Sequence, residues 1–169
     1  MSATKLQVAL DFVDLERALK VAAAAVEGGA DYIEAGTPLI KSEGLDAVRR
    51  LRAAFPGRTI IADMKTMDAG RIETEAAAKA GATIITVCAA ASPATIRECV
   101  EAGRHYGIDV AVDLMGVADV EALVRRCEEI GVAWLDVHCA IDAQMQGADP
   151  LDELRKVRAL TSLTVAVAG

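Results

Sequence analysis

Residues 59–88 read TIIADMKTMDAGRIETEAAAKAGATIITVC, which describes one complete strand–helix–strand unit. The runs at 59–64 and 83–88 are short, rich in β-branched residues and mostly apolar, as expected for strands buried on both faces. Between them, residues 69–80 have the Ala/Glu/Lys composition of an amphipathic helix, and Gly81 is placed to end it. The stretch therefore predicts a parallel βαβ unit.

The same unit recurs along the whole chain. Helical segments are expected at about 14–28, 43–54, 69–80, 92–106, 119–130 and 149–160. They separate seven strand-like runs, at 6–11, 32–35, 59–64, 83–88, 109–114, 134–138 and 163–167. A spacing of 25 residues places four side chains at equivalent points of successive units: Asp63, Cys88, Asp113 and His138. This alternation predicts an α/β fold, either a doubly wound open sheet or a TIM (β/α)8 barrel.

Two features favour the barrel. No G-x-G-x-x-G turn follows the first strand, where nucleotide-binding open sheets carry one. Ionisable residues stand at the C-terminal ends of several different strands, which is how barrel active sites are assembled. Eight units of this period need about 200 residues, whereas the chain has 169. We therefore expect one barrel domain over 1–169, with seven strands and six helices, that lacks the last βα unit.

Composition excludes several functional classes. Apolar residues make up 53% of the chain and aromatic residues 3%, so the core is expected to consist of small and aliphatic side chains. The 18 Lys and Arg residues against 25 Asp and Glu give a net charge of −7. This balance disfavours binding to nucleic acid or to an anionic membrane. We expect a soluble cytoplasmic protein, because the first residues lack an apolar signal core and no uncharged run suits a bilayer span.

Ionisable residues are concentrated at the predicted strand ends. Burying a carboxylate is costly unless the group is paired or binds a metal ion, so a convergence of such groups needs a reason. One alternative is a network of ion pairs that closes the top of the barrel, although such a network does not require a histidine. Asp63 and Lys65 are two residues apart and are expected to share one strand face, with Met64 on the other. The full set is Asp11, Glu34, Asp63, Lys65, Asp113 and His138.

These residue types suggest a chemistry. Glu34 and Asp63 offer hard oxygen ligands that suit Mg²⁺, or Mn²⁺, better than Zn²⁺. Lys65 is expected to stay cationic among carboxylates and to stabilise developing negative charge. His138 is the natural proton carrier at neutral pH. Together they predict metal-assisted enolate or carbanion chemistry on a small polar substrate.

Four blocks of sequence carry a family resemblance. They are LQVALD at 6–11, IEAGTPLIKSEG at 33–44, ADMKTMDAG at 62–70 and VHCAIDAQ at 137–144. The third block contains the D-x-K-x-x-D pattern of the orotidine 5′-monophosphate decarboxylase suprafamily. In this order the blocks resemble the 3-hexulose-6-phosphate synthases of that suprafamily. The resemblance implies a (β/α) barrel aldolase that condenses formaldehyde with D-ribulose 5-phosphate to give D-arabino-3-hexulose 6-phosphate.

The resemblance also implies a role for each central residue. Glu34 and Asp63 would hold Mg²⁺ and, through it, substrate oxygens. His138 would remove a proton from C1 of the ketose and return one on the product side. Lys65 would stabilise oxyanion charge on an enediolate.

Four further residues receive roles by the same resemblance. Asp11 would position Lys65, and so would Asp68 of a partner subunit, which implies a homodimer with shared active sites. Asp113 would orient substrate hydroxyls. Gly169 would supply the first part of the phosphate-binding turn.

Two other functions stay open at this point. The related 3-keto-L-gulonate-6-phosphate decarboxylases typically have Glu in place of Asp113 and Arg in place of Ile141, and both differences favour the synthase. A non-catalytic incomplete barrel that acts as an interaction fragment is the other possibility, because a missing eighth unit would leave two unpaired sheet edges.

Overall fold

The computed structural model describes residues 4–168. Its strands are β1 (Gln7–Leu10), β2 (Tyr32–Ala35), β3 (Thr59–Thr66), β4 (Ile84–Cys88), β5 (Asp109–Asp113), β6 (Trp134–His138) and β7 (Thr164–Ala168). Its helices are α1 (Leu15–Glu27), α2 (Thr37–Glu43), α3 (Asp46–Ala54), α4 (Gly70–Ala80), α5 (Pro93–Tyr106), α6 (Val120–Ile130), α7 (Ile141–Gln144) and α8 (Pro150–Leu160). None of the helices in this part of the chain is long and apolar enough to cross a membrane.

The strands form one parallel sheet in the order β1-β2-β3-β4-β5-β6-β7. A doubly wound sheet reverses its strand order at a switch point, whereas a barrel follows the order of the chain. Side chains from β1, β2, β3, β6 and β7 also line one common cavity, which requires the sheet to curl. The predicted barrel architecture, with seven parallel strands, is therefore confirmed.

The core has an outer and an inner part. Between sheet and helices lie fully buried aliphatic side chains, among them Leu10, Ile33, Leu51, Ile85 and Leu135. Inside the curl, the buried residues Ile61, Ile84 and Ala111 pack with Tyr32 and Trp134. This inner layer fills the interior of the curled sheet near the N-terminal ends of the strands. The C-terminal strand ends are left open for polar groups.

The number of helices differs from the prediction. Eight helices are present within residues 4–168, because α2 and α7 each form a short helix between a strand and the next long helix. The helix predicted over 43–54 does not begin at residue 43. Helix α2 ends there, Gly44 follows with a φ of 64°, and α3 begins only at Asp46. Helices of seven and four residues are too short to produce a hydrophobic period.

Candidate active site

A cavity opens at the C-terminal strand ends of the curled sheet. Its volume is about 980 Å³, and its polar lining includes Asp11, Glu34, Asp63, Lys65, Asp136 and His138. The sequence predicted five of these six residues from their positions at strand ends. Asp136 was not predicted, although its place two residues before His138 puts both side chains on the same strand face.

Lys65 is at the centre of a hydrogen-bonded cluster. Its Nζ lies 2.6 Å from Asp113 Oδ2, 3.2 Å from Asp63 Oδ1 and 3.3 Å from His138 Nδ1. Burial alone would lower the pKa of Lys65, but the hydrogen bond to Asp113 and the charge of Asp63 outweigh it and raise that pKa. Lys65 is therefore a fixed positive charge that faces the cavity.

The strand reaches this arrangement through a bulge. Lys65 has a φ of 46°, in the left-handed region, and the pairing of β3 with β4 shifts register between Ala62 and Thr66. The predicted convergence of Asp63 and Lys65 is present, but it does not arise from simple strand alternation. The alternation rule assumes a regular strand, and no glycine at 59–66 marked the irregularity.

Two hydroxyl groups hold the Asp63 carboxylate. Thr37 Oγ1 is 2.7 Å from Asp63 Oδ2, and Thr86 Oγ1 donates to Asp63 Oδ1 at 2.6 Å. Asp63 is 6% exposed, so these bonds form where water has little access. Neither threonine was predicted, because a hydroxyl on a strand or at a helix start has no characteristic spacing in sequence.

Asp113 is enclosed by protein groups. Its side chain has no exposed surface, and its oxygens accept from Lys65, from the Met115 backbone N–H at 2.8 Å and pair with His138 Nδ1 at 3.0 Å. The contact of Asp113 with substrate hydroxyls stays a prediction, and within the described residues its oxygens contact only these protein groups. Asp113 thereby orients Lys65 and His138.

The pair formed by Asp113 and His138 sets the protonation of both groups. Burial would raise the pKa of Asp113, but hydrogen bonds from His138 and Lys65 lower it. The hydrogen bond to Asp113 in turn raises the pKa of His138. With Nδ1 directed at a carboxylate, His138 Nε2 is the ring nitrogen left to exchange a proton with a ligand.

Negative charge is in excess at this edge. Burial, followed by the charges of Asp63 and Asp136, raises the pKa of Glu34 to about 8, and its one hydrogen bond in the described region comes from the Gln7 side chain. Burial and the charge of Asp113 raise the pKa of Asp136 to about 6, and Asp136 Oδ1 is buried with no hydrogen-bond partner among residues 4–168. A divalent cation among oxygen ligands would relieve this excess, so the residues fit the expected Mg²⁺.

A second group of potential ligands is already occupied by a cation. Asp113, Asp136 and His138 each offer one ligand atom, and these atoms lie within 4.8 Å of one another. Lys65 Nζ, however, contacts both Asp113 and His138. Lys65 also contacts Asp63, whereas Glu34 makes no hydrogen bond to Lys65 within residues 4–168, so a divalent cation would fit best on the Glu34 side of the cavity.

The remaining predicted site residues lie at or beyond the rim. Asp11 lies at the cavity edge, and partial burial of its carboxylate, followed by the charge of Asp63, raises its pKa. That carboxylate occupies the space that a Cβ at Gly36 would need. Lys65 makes no hydrogen bond to Asp11 within residues 4–168. Asp68 is exposed outside the cavity lining and accepts a hydrogen bond from the Ala69 N–H at 2.7 Å. Gly169 lies outside the described residues.

Comparison with known proteins gives a consistent result. Residues 4–165 match the model of the orotidine 5′-phosphate decarboxylase / HUMPS family. A 3-hexulose-6-phosphate synthase of Bacillus subtilis is 37% identical over 166 residues, which are 98% of this chain and 79% of the relative.

Solved structures show the same relationship. The crystal structure of 3-hexulose-6-phosphate synthase from Salmonella typhimurium has a TM-score of 0.94 at 36% identity, covering 98% of this chain and 79% of that one. A 3-keto-L-gulonate-6-phosphate decarboxylase from Vibrio cholerae has a TM-score of 0.85 at 30% identity, covering 99% of this chain and 89% of that one.

Proposed function

The chain belongs to the orotidine 5′-phosphate decarboxylase / HUMPS family, and from this membership we propose that it condenses formaldehyde with D-ribulose 5-phosphate. The product is D-arabino-3-hexulose 6-phosphate, and the activity is that of an aldehyde-lyase. The single observation that carries the proposal is the Lys65 cluster, in which a fixed ammonium group, Asp113 and His138 meet at one cavity wall.

His138 and Lys65 each have a role in the proposed reaction. His138 removes a proton from C1 of the ketose, and the C1 carbanion then forms a bond to the formaldehyde carbon. The formaldehyde oxygen takes up a proton and becomes a hydroxyl group of the product, so that no oxidant or reductant is needed. Lys65 offsets the negative charge that develops on the substrate oxygens after C1 is deprotonated.

Glu34 and Asp63 are the proposed ligands of a Mg²⁺ or Mn²⁺ cofactor. When bound, such a cation would supply positive charge next to the substrate oxygens. Asp63 already accepts from Lys65 and from threonine hydroxyls, whereas the Glu34 carboxylate has only the Gln7 amide as a partner in the described region. Glu34 is thus the ligand with more free lone pairs.

Three further assignments complete the proposal. Asp11, at the rim of the cavity, is available to substrate hydroxyls or to a mobile water. Gly169, which lies outside the described residues, would contribute to binding the substrate phosphate. Asp68 would reach the cavity of a partner subunit in a homodimer.

The proposal is tested by incubating the purified chain with Mg²⁺, D-ribulose 5-phosphate and formaldehyde and following formaldehyde consumption. We expect turnover, and we expect His138→Asn to slow exchange of the C1 proton by about 10²–10⁴-fold. Release of CO₂ from 3-keto-L-gulonate 6-phosphate, faster than formaldehyde is consumed, would favour the decarboxylase instead. Absence of both reactions would reject both of these enzymatic functions.

The environment of Ile141 supports the choice of the synthase. This side chain belongs to the first residue of α7, three residues after His138, and it lines the cavity and is 65% exposed. An apolar side chain at this place cannot donate a hydrogen bond or deliver a proton to a substrate carbanion. That property suits a carbanion that must survive until it reacts with an aldehyde.

A further inference from the structure

We propose that Thr86 is a positioning residue that holds Lys65 in its left-handed conformation and fixes the Asp63 carboxylate for the reaction. This inference rests on the proposed function for its catalytic consequence. The contacts that carry it belong to β4 and do not depend on a bound ligand or metal ion.

The first observation is a gap in the β3–β4 hydrogen-bond ladder. Regular pairing runs from Ile61↔Ile84 to Ala62↔Ile85 and resumes at Thr66↔Val87. Between the last two pairs, β3 advances by four residues and β4 by two, so residues 63–65 face a single residue, Thr86. The backbone groups of Lys65 therefore lack the partners that a regular ladder would supply.

Side chains of β4 replace those partners. The backbone N–H of Lys65 donates to Thr86 Oγ1 at 3.0 Å, and the Cys88 thiol donates to the Lys65 carbonyl at 3.3 Å. Thr86 and Cys88 are two residues apart on one strand, so both side chains point to the same face. Together they hold Lys65 at a φ of 46°, a conformation that a residue with a Cβ rarely adopts.

Thr86 also couples Lys65 to Asp63. A hydroxyl group has one hydrogen, and Thr86 donates it to Asp63 Oδ1 at 2.6 Å while it accepts from Lys65. Thr86 is 3% exposed, so water does not compete for either bond. One buried side chain thus holds both the Asp63 carboxylate and the Lys65 backbone.

Loss of the hydroxyl would disturb both residues. In Thr86→Val, which has nearly the same shape, the Lys65 N–H would be a buried donor without an acceptor, and Asp63 Oδ1 would lose a short bond. The backbone at Lys65 is then expected to relax towards a regular strand and to move Nζ from Asp113. Misplacement of a catalytic group by about 1 Å costs about 10²-fold in rate.

A matched control is available in the same molecule. Thr74, in α4, is fully buried, and its hydroxyl has no hydrogen-bond partner in the described structure. Thr74→Val makes the same chemical change in an equally buried place away from the cavity. Thr86→Ser retains the hydroxyl and should rescue what Thr86→Val loses.

The test combines kinetics with hydrogen exchange of the Lys65 amide in the full chain. For Thr86→Val we expect kcat for C1 proton exchange of D-ribulose 5-phosphate to fall about 10²-fold, with KM little changed and the Lys65 amide deprotected. Thr86→Ser and Thr74→Val should keep the wild-type kcat and amide protection. A Lys65 amide that stays protected in Thr86→Val overturns the proposal whatever happens to the rate, and so does an equal loss of kcat in Thr74→Val.

The two proposals can fail separately. If the wild-type chain neither consumes formaldehyde nor exchanges the C1 proton, the proposed function has failed. Amide exchange of Lys65 in the variants then still decides whether Thr86 holds the bulge. If Thr86→Val does not fold, the comparison of wild type with Thr86→Ser and with Thr86→Ala gives the same amide readout.

Discussion

At the scale of single residues, Asp113 controls the protonation of the site. It has no exposed side-chain surface, yet it stays ionised because Lys65 and His138 both contact one of its oxygens. The negative charge favours protonated His138, so the histidine must lose this proton before it can act as a base. The rate of C1 proton removal should therefore depend on pH through His138.

We expect kcat/KM for C1 proton exchange to rise with pH through a pKa above the usual histidine value of about 6.5. In Asp113→Asn the negative charge is lost while Lys65 remains nearby, so the rise should move to lower pH as overall activity falls. Asp142→Asn, which changes an exposed carboxylate of the cavity wall, should leave the midpoint unchanged. The same midpoint in Asp113→Asn and wild type would show that another group titrates.

Glu34 gives a prediction about the metal ion. With its pKa raised to about 8, Glu34 is mostly protonated at pH 7 in the metal-free protein, so a bound cation must displace that proton. Titration with Mg²⁺ at pH 7 should release about one proton per site, and apparent affinity should increase with pH up to about 8 and then level off. Calorimetry in two buffers of different ionisation enthalpy measures this release. Glu34→Gln should release none, and equal release from Glu34→Gln would remove Glu34 from the ligand set.

At the scale of elements, helix α4 begins in an unusual way. Ala69, its N-cap residue, has φ 52° and ψ 38°, in the left-handed region, and carries no side-chain oxygen to cap the helix. The chain turns here directly after the bulge at Lys65, so two non-glycine residues within five positions adopt positive φ. The segment that carries the D-x-K-x-x-D pattern is thus held in shape by tertiary contacts rather than by local preference.

Replacing Ala69 by glycine should therefore stabilise the protein. The left-handed conformation costs about 1–2 kcal/mol for a residue with a Cβ, and the added freedom of glycine in the unfolded chain removes part of the gain. We expect Ala69→Gly to raise the free energy of unfolding by about 0.5–1 kcal/mol, measured by urea denaturation. Ala23→Gly, on an exposed position inside α1, should lower it by about 1 kcal/mol. Destabilisation in both variants would contradict the strain at Ala69.

The same elements show how far the sequence could be interpreted. All seven strands lie where apolar runs between turn residues predicted them, because a strand buried on both faces must be apolar throughout. Helices α2 and α7 were not predicted, because each is shorter than two turns and therefore shows no helical hydrophobic period. The bulge was not predicted either, since it depends on Thr86 and Cys88, which lie more than 20 residues further along the chain.

The residues of the candidate site could be predicted in part, but most of their contacts could not. Charged residues at the ends of apolar strands are conspicuous, so Glu34, Asp63, Lys65 and His138 were identified. The contacts among them were not predicted, since the burial of Asp113 against Lys65 and His138 leaves no pattern in the sequence. Burial of a side chain depends on what the neighbouring strands place over it, and a single sequence does not contain that information directly.

At the scale of the whole molecule, one predicted site residue lies outside the cavity of its own subunit. Asp68 is exposed beyond the end of β3 and is not part of the cavity lining. Met67, beside it, is 52% exposed, and Ile72, one helical turn further on, is 70% exposed. An acidic residue flanked by exposed apolar side chains at the open end of the barrel is suited to an interface between two copies of the chain.

We therefore expect a homodimer in which Asp68 completes the partner's site, and subunit mixing tests it. Lys65→Ala and Asp68→Ala should each be nearly inactive. At equal mixing, half of the dimers are mixed and each has one intact site, so activity should return to about a quarter of wild type. Lys65→Ala mixed with Asp63→Ala is the control: both residues serve one subunit's cavity, so no mixed dimer has an intact site. No recovery in the first mixture, with exchange proven by mass spectrometry, would place Asp68 and Lys65 in the same subunit's site.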